Sequence, residues 1–224
     1  MSIIAGLTEK RITGSGQSHV GDHTVIHCGE DHTHSRGVSL VLDKRLSRSL
    51  VSWQAVSCWL LTARFRHKHG HLSVLVVYAP TEDYPASDKD EFYSALETLV
   101  LSIPPHDKVM VLDDFSAETG NDRMCYEDVI GHFGAGTTND NSFRLLTMCS
   151  SLNLAALGSW FQRRDIPVYC HTWISNDGRT RKQLDHILII IIIIIKHTFL
   201  SRNKVVTSEA VAAQVRSCHY CPLS

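Results

Sequence analysis

The sequence has little net charge of either sign. Its 22 lysines and arginines stand against 23 aspartates and glutamates, a formal charge of −1 over 224 residues. That balance excludes the overall basic footprint by which many nucleic-acid-binding domains announce themselves, though it leaves room for a local basic groove. Long apolar runs are also lacking. The longest, Ile187 to Ile195, is nine residues, whereas a bilayer span needs about 20, so no membrane partner is expected. No secretory pattern opens the chain between Met1 and Arg11. The seven cysteines are odd in number and irregularly spaced. A disulfide-stapled secreted scaffold is therefore not expected, and a reducing compartment is. No GxGxxG or P-loop follows a strand, which argues against a doubly wound nucleotide-binding sheet. No repeat recurs at periods of 20 to 50 residues.

What is present is globular in character, with 43% apolar and 20% charged residues. No linker divides the chain, so residues 1–224 are read as one domain. Histidine is abundant, at 14 residues. His67, His69 and His71 alternate, as do His32 and His34, and on a strand each set would share a face. That spacing allows a zinc site, or simply a polar turn and a solvated strand face. Cys218 to Cys221 is a single CxxC without a second pair, weak for a zinc knuckle.

Periodicity sets the element order. GVSLVL at 37–42 reads as a strand. Residues 53–66 and 71–78 read as a β-hairpin across a His-Gly turn, the second strand apolar enough to be buried on both faces. Residues 88–102 repeat apolar positions at helical spacing through Phe92, Leu96, Leu99 and Val100, with Ser87 or Asp88 as cap. KVMVLDD at 108–114 is a short buried strand, and 118–141 is a long polar loop. A second helix covers 142–152, capped from Asn139 to Asn141, and strands follow at 154–161, 171–174 and 184–195. Strands outnumber helices and hairpins mix with crossovers, so the fold class is α/β, a sandwich with mixed sheets.

The chemistry concentrates in carboxylates at strand ends. Val109 to Leu112 carries the chain through a core, then Asp113 and Asp114 follow at once. Burying ionised carboxylates costs several kcal/mol, on the order of a protein's whole stability, unless something compensates. A cation compensates, and oxygen-only ligands suit Mg²⁺, which keeps waters and recruits substrate phosphates. The bland alternative is a solvated turn with an aspartate cap. Asp185 likewise opens a very apolar strand, and Glu9 sits in Leu7-Thr8-Glu9-Lys10-Arg11.

These segments together carry a resemblance. LTEKR, SRGVSLVL, VYAPT, VLDDFSA, NDNSFRLL and HTWISNDGRTRKQLDHILI resemble, in order, the endonuclease/exonuclease/phosphatase superfamily, and within it the endonuclease domains of LINE-type non-LTR retrotransposons. The likeness runs from about residue 5 to 190. It implies a DNase I-like four-layer sandwich of two mixed β-sheets flanked by helices. It implies a Mg²⁺- or Mn²⁺-dependent phosphodiesterase that nicks DNA, acting as a monomer inside the cell and, with DNA as substrate, in the nucleus. Glu9 matches the metal-binding glutamate. Tyr78 matches the tyrosine near the scissile phosphate. Asp114 matches the GDFN aspartate, which serves the metal, the attacking water or the leaving oxygen. Asp185 matches the aspartate that supports a catalytic histidine.

The pattern departs from the family in four places. The asparagine of the family's opening strand has no counterpart, so the first strand and helix are expected to be missing. GDFN has become Asp113-Asp114-Phe115-Ser116, placing Ser116 where an asparagine would orient the nucleophile. Ser-Asp-His has become Ser217-Cys218-His219, so His219 is either the catalytic equivalent or part of a frayed tail, and the last strand is expected to be missing. The isoleucine run is expected to shift the register between Asp185 and His219. Two functions follow: a nuclease of retrotransposon descent, or a catalytically silent remnant serving as a binding module. A third is hydrolysis of small phosphate esters.

Overall fold

Alternation along the central strands decides the layers. The computed structural model describes residues 4–9, 12–32, 36–161 and 171–190, all within one compact unit, Met1–Ile190. In chain order it forms β1 (Ile4–Leu7), β2 (Ser15–Val20), β3 (His23–Gly29), β4 (Gly37–Asp43), α1 (Lys44–Ser47), β5 (Leu50–Ser57), β6 (Leu60–His67), β7 (Gly70–Tyr78), α2 (Ala86–Ser102), β8 (Lys108–Asp114), α3 (Asp140–Leu152), β9 (Leu154–Ala156), a 3₁₀ turn (Leu157–Trp160), β10 (Trp173–Ile174), β11 (Arg181–Lys182) and β12 (Asp185–Ile190). Six strands pair in the order β5-β6-β7-β8-β12-β9. Within that sheet β7 and β8 are parallel, joined through α2, and the other neighbours are antiparallel. Four strands pair in the order β1-β4-β3-β2, each antiparallel to the next.

Successive side chains of a strand point to opposite faces. In β7, Leu75 and Val77 enter a core shared with Phe92, Leu96 and Val100 of α2 and Leu145 and Cys149 of α3. Val74 and Val76 enter a second core with Ile26, Leu40 and Leu42 of the smaller sheet. All four β7 residues are fully buried. The larger sheet is thus the middle layer, with helices on one face and the smaller sheet on the other. This is the α/β sandwich that the sequence leads one to expect, with three of the four expected layers formed by the described residues. The described strands of the smaller sheet are all antiparallel, so the mixed pairing resides in the larger one.

Several boundaries differ from the periodicity reading, each for a physical reason. The stretch 53–66 is not one strand. It breaks at Cys58 and Trp59, with Ser57 paired to Leu60, although no glycine or asparagine marks the turn. The β2–β3 hairpin went unseen because β2 (SGQSHV) is a polar, exposed edge strand with no apolar alternation. Helix α2 starts at Ala86 behind Pro85, without a side-chain cap, so Ser87 and Asp88 lie inside its first turn. Pro85 is itself the cap residue, with an extended backbone (φ −54°, ψ 148°). Helix α3 is capped as expected: Asn139 accepts the Ser142 N–H at 2.8 Å, and Ser142 Oγ accepts the Asn139 N–H at 3.0 Å. The loop after β8 carries a buried spine of Phe115, Ala117, Val129 and Ile130, which anchors it on the helix-side core. The 184–195 strand begins at Asp185 and is followed to Ile190. Ile191 to Ile195 lie outside the described residues, as do Cys218, Cys221 and His219.

Candidate active site

Parity along three adjacent strands builds one wall of the site. Tyr78 ends β7 on the face of Val74 and Val76, and Asp114 ends β8 on the face of Met110 and Leu112, all toward the smaller sheet. The pairing register sets Tyr78 opposite Asp114, and Asp114 opposite Asp185 at the start of β12. A phenol and two carboxylates from three strands therefore stand in one row at the rim of the sheet. They are far apart in sequence, and only this register brings them level.

The smaller sheet supplies the fourth group. Strand β1 lies over β7 and β8, and Gly6 permits the close approach. A Cβ on Gly6 would sit 3.1 Å from Leu112 Cβ and 3.2 Å from Val76 Cγ1. Just past the end of β1, Glu9 reaches the row, and the Tyr78 hydroxyl donates to Glu9 Oε1 at 3.3 Å. Between β1 and the strand ends lies a cavity of about 820 Å³ with Asp114, Asp185, Thr172 and Gln183 in its wall. Gly6→Val should lift β1 and separate Glu9 from Asp114. We expect it to lower any divalent-metal binding more than it lowers the melting temperature, checked by calorimetric titration beside thermal unfolding.

Two backbone outliers fall here. Glu9 (φ 55°) and Ser116 (φ 49°) take left-handed conformations, two of four such non-glycine residues among those described. L side chains rarely hold such dihedrals, and strain of this kind gathers at functional sites. Ser116 curls back so that its N–H donates to Asp114 Oδ1 at 2.9 Å, and its carbonyl accepts from Asn139 Nδ2 at 3.3 Å. The turn thus fixes one oxygen of Asp114.

The electrostatics follow from burial and crowding of like charges. Burial raises the Asp114 pKa and Glu9 raises it further, while the Ser116 N–H and then the Ser116 hydroxyl work against both. Asp185 is pushed up to about 6 by burial and then by Asp114, with the Thr172 hydroxyl opposing. Tyr78 is pushed up to about 12, by burial first and then by Glu9 and Asp114, so it keeps its proton and donates at neutral pH. Among the described residues, no lysine or arginine forms an ion pair with Glu9, Asp114 or Asp185.

The Asp185 shift has a consequence for stability. Below its ordinary value of 3.8, the folded and unfolded chains both hold the proton. As pH rises from there to about 6, the unfolded chain ionises first, and the fold loses stability over that window. Asp185 is exposed at the entry to β12, so solvent screens the shift and we discount the effect to on the order of 1 kcal/mol. Asp185→Asn should therefore raise the melting temperature in EDTA at pH 7 by about 2–4 °C. The gain should vanish near pH 4, as read by thermal unfolding across pH.

The donor set bears on a metal. Glu9 and Asp114 offer carboxylate oxygens only, crowded without a cationic side chain among the described residues. That fits Mg²⁺ or Mn²⁺ held through one or two carboxylates, with waters and substrate phosphates completing the shell. It does not fit a closed protein cage, since no group of three His, Cys, Asp or Glu among the described residues is arranged to hold an ion. Among the described residues the histidines form no such site either. His67 ends β6 and His69 lies in the turn, where its N–H donates to His67 Nδ1 at 3.2 Å. His34 lies outside the described residues.

The structure thus gathers Glu9, Tyr78, Asp114, Asp185 and Ser116, while His219 lies outside the described residues. Sequence reasoning missed Gly6 and Thr172. Thr172 Oγ1 accepts the backbone N–H of Leu184 at 2.9 Å and of Asp185 at 3.1 Å, fixing the entry to β12. Behind that strand, His186 Nε2 donates to the Ala117 carbonyl at 2.8 Å. Stepping by two from the buried residues of β7 and β8 would have put Tyr78 and Asp114 on one face. Nothing local marks Gly6 or Thr172.

No family model matches the chain. Over 185 residues, 83% of its length, it is 30% identical to craniofacial development protein 2 from Bos taurus, and to the same degree to that of Tragulus javanicus. The match covers 31% and 32% of those proteins, so the chain spans about a third of the length of the curated relatives it matches. Among solved structures it superposes on the endonuclease domain of TRAS1, a telomere-specific non-LTR retrotransposon, with a TM-score of 0.55 and 11% identity, over 77% of this chain and 68% of that one. It superposes on the 3′ phosphatase NExo from Neisseria bound to a product DNA hairpin with a TM-score of 0.54 and 14% identity, over 76% and 67%.

Proposed function

We propose that this chain, whose fold superposes on a retrotransposon endonuclease domain and on a 3′ phosphatase, is a member of the endonuclease/exonuclease/phosphatase superfamily that hydrolyses phosphodiesters in DNA, with Glu9 and Asp114 holding a divalent cation. The observation that carries this reading is the level row of Tyr78, Asp114 and Asp185 on one rim, met by Glu9 from the facing sheet. When bound, Mg²⁺ or Mn²⁺ would supply positive charge against the negative charge developing on the phosphoryl and leaving oxygens. Asp114, one oxygen held by the Ser116 N–H, would offer its carboxylate to hold the cation or to accept a proton from the attacking water. Tyr78 keeps its proton and steadies Glu9. Asp185 borders the same cavity and orients the groups that meet the leaving oxygen. The resemblance pairs it with His219. The proposed substrate places the protein in the nucleus, acting as a monomer. No helix among the described residues is long and apolar enough to cross a membrane.

The test is nicking of supercoiled plasmid by the full chain in Mg²⁺ and in Mn²⁺. The reading predicts open-circle product in both ions and none in EDTA. Phosphate release from small esters without nicking would move the assignment to a small-molecule phosphatase. Plasmid that stays supercoiled in both ions would overturn the reading in favour of a silent nuclease-fold remnant.

A further inference from the structure

Beside the carboxylate row lies a cation–aromatic cluster with no part in the hydrolysis described above. Arg36 precedes β4, Trp59 sits in the β5–β6 turn, and Tyr84 lies in the loop before α2. The Arg36 Cζ stands 4.7 Å over the Trp59 ring and 5.1 Å from the Tyr84 ring. The two rings meet edge-on at 5.9 Å and 86°, making a corner that holds the guanidinium. Arg36 Nη2 donates to the Tyr84 hydroxyl at 2.6 Å, and Nη1 lies 3.6 Å from Glu30 Oε1. About a third of the Arg36 side chain, 34%, is solvent-exposed.

The cluster touches the candidate active site directly. Trp59 packs on Tyr78 with ring centroids 5.2 Å apart, and the Tyr78 N–H donates to the Trp59 carbonyl at 3.0 Å. Arg36 is therefore one aromatic ring away from the phenol that binds Glu9. The cluster also accounts for the turn that sequence reading missed. An apolar tryptophan occupies a hairpin tip because Tyr78, Tyr84 and Phe92 pack around it.

We propose that Arg36, braced between Trp59 and Tyr84, is a phosphate clamp that holds the nucleic-acid strand at a backbone phosphate beside the one to be cut. This rests on the nucleic-acid reading above and names a positioning residue for it. A guanidinium presents a planar fork of donors that matches phosphate oxygens. Its usual cost is the ordering of a long side chain, and here the rings have already ordered it. The location also answers an electrostatic need. The carboxylate row repels a polyanion and pairs with no lysine or arginine among the described residues, and the guanidinium one ring away, which shares its charge with Glu30 at 3.6 Å, offers a phosphate the remaining donors of its fork.

The experiment is a fluorescence-anisotropy titration of a labelled duplex oligonucleotide with the full chain, over a series of NaCl concentrations, with Ca²⁺ in place of Mg²⁺. A clamp on one phosphate contributes about one unit to the slope of log K against log salt. Arg36→Ala should weaken binding and flatten that slope by about one unit. Arg36→Lys should keep the slope, because the charge remains, while binding more weakly for want of the fork. A structural staple would instead lower the melting temperature of Arg36→Ala and leave the slope where it was, which would overturn the clamp. Should Arg36→Ala fail to fold, Arg36→Lys decides: affinity equal to the parent chain would overturn the forked contact. A parent chain that nicks plasmid while Arg36→Ala binds with an unchanged slope removes the clamp alone. A parent chain that neither binds nor nicks removes the nucleic-acid reading and the clamp with it.

Discussion

Asp114→Asn should lower plasmid nicking by about 10²–10⁴-fold, the usual worth of a positioned acid–base group. Asparagine has the shape of aspartate, and its side-chain oxygen can still accept the Ser116 N–H that now reaches Asp114 Oδ1 at 2.9 Å. What disappears is the charge, and with it the second oxygen as a metal ligand or proton acceptor. The melting temperature should hold or rise in EDTA, because burial and the neighbouring Glu9 already disfavour the ionised form. Loss of activity with undiminished stability separates a chemical role from a structural one. Nicking rates equal to the parent chain would remove Asp114 from the reaction.

Ser116→Asn should raise nicking by at least about tenfold, since a single well-placed donor is typically worth 10²–10³ when lost. The backbone at Ser116 already stands at φ 49°, a region that asparagine tolerates better than serine. The substitution therefore relieves strain rather than adding it. It also supplies an amide whose two donors project further than the serine hydroxyl, two residues from Asp114, which lines the cavity. The comparison is a single-turnover nicking rate for the two chains at saturating Mg²⁺. An unchanged rate would mean that position 116 does not meet the phosphate, and that the serine is no impairment.

Much of this arrangement was legible in the sequence, and what was not has definable causes. Strands β4, β7 and β8 announced themselves because buried strands concentrate apolar residues, and the ends of β8 and β12 stood out because Asp114 and Asp185 interrupt such runs. Helix α3 was marked by its Asn139 cap. The motifs carried the resemblance and with it the candidate residues. Register was not legible. That Tyr78, Asp114 and Asp185 stand level depends on β7 pairing parallel to β8 and on β12 running back beside it, and no local signal fixes those offsets. The role of Gly6 was hidden for the same reason, since its lack of a side chain matters only where Leu112 and Val76 press against it. Trp59 misled periodicity because tertiary stacking, not turn chemistry, places it at a hairpin tip. Strand β2 was silent because an exposed edge needs no apolar face.

In the proposed site, carboxylates from the two sheets, Glu9 and Asp114, meet around one divalent ion. Mn²⁺ titration of the full chain followed by electron paramagnetic resonance tests this most directly, independently of any activity. The account predicts a single saturable Mn²⁺ site in the parent chain, lost in Glu9→Gln and lost again in Asp114→Asn. Binding that survives both substitutions, or no site in the parent chain, would contradict it.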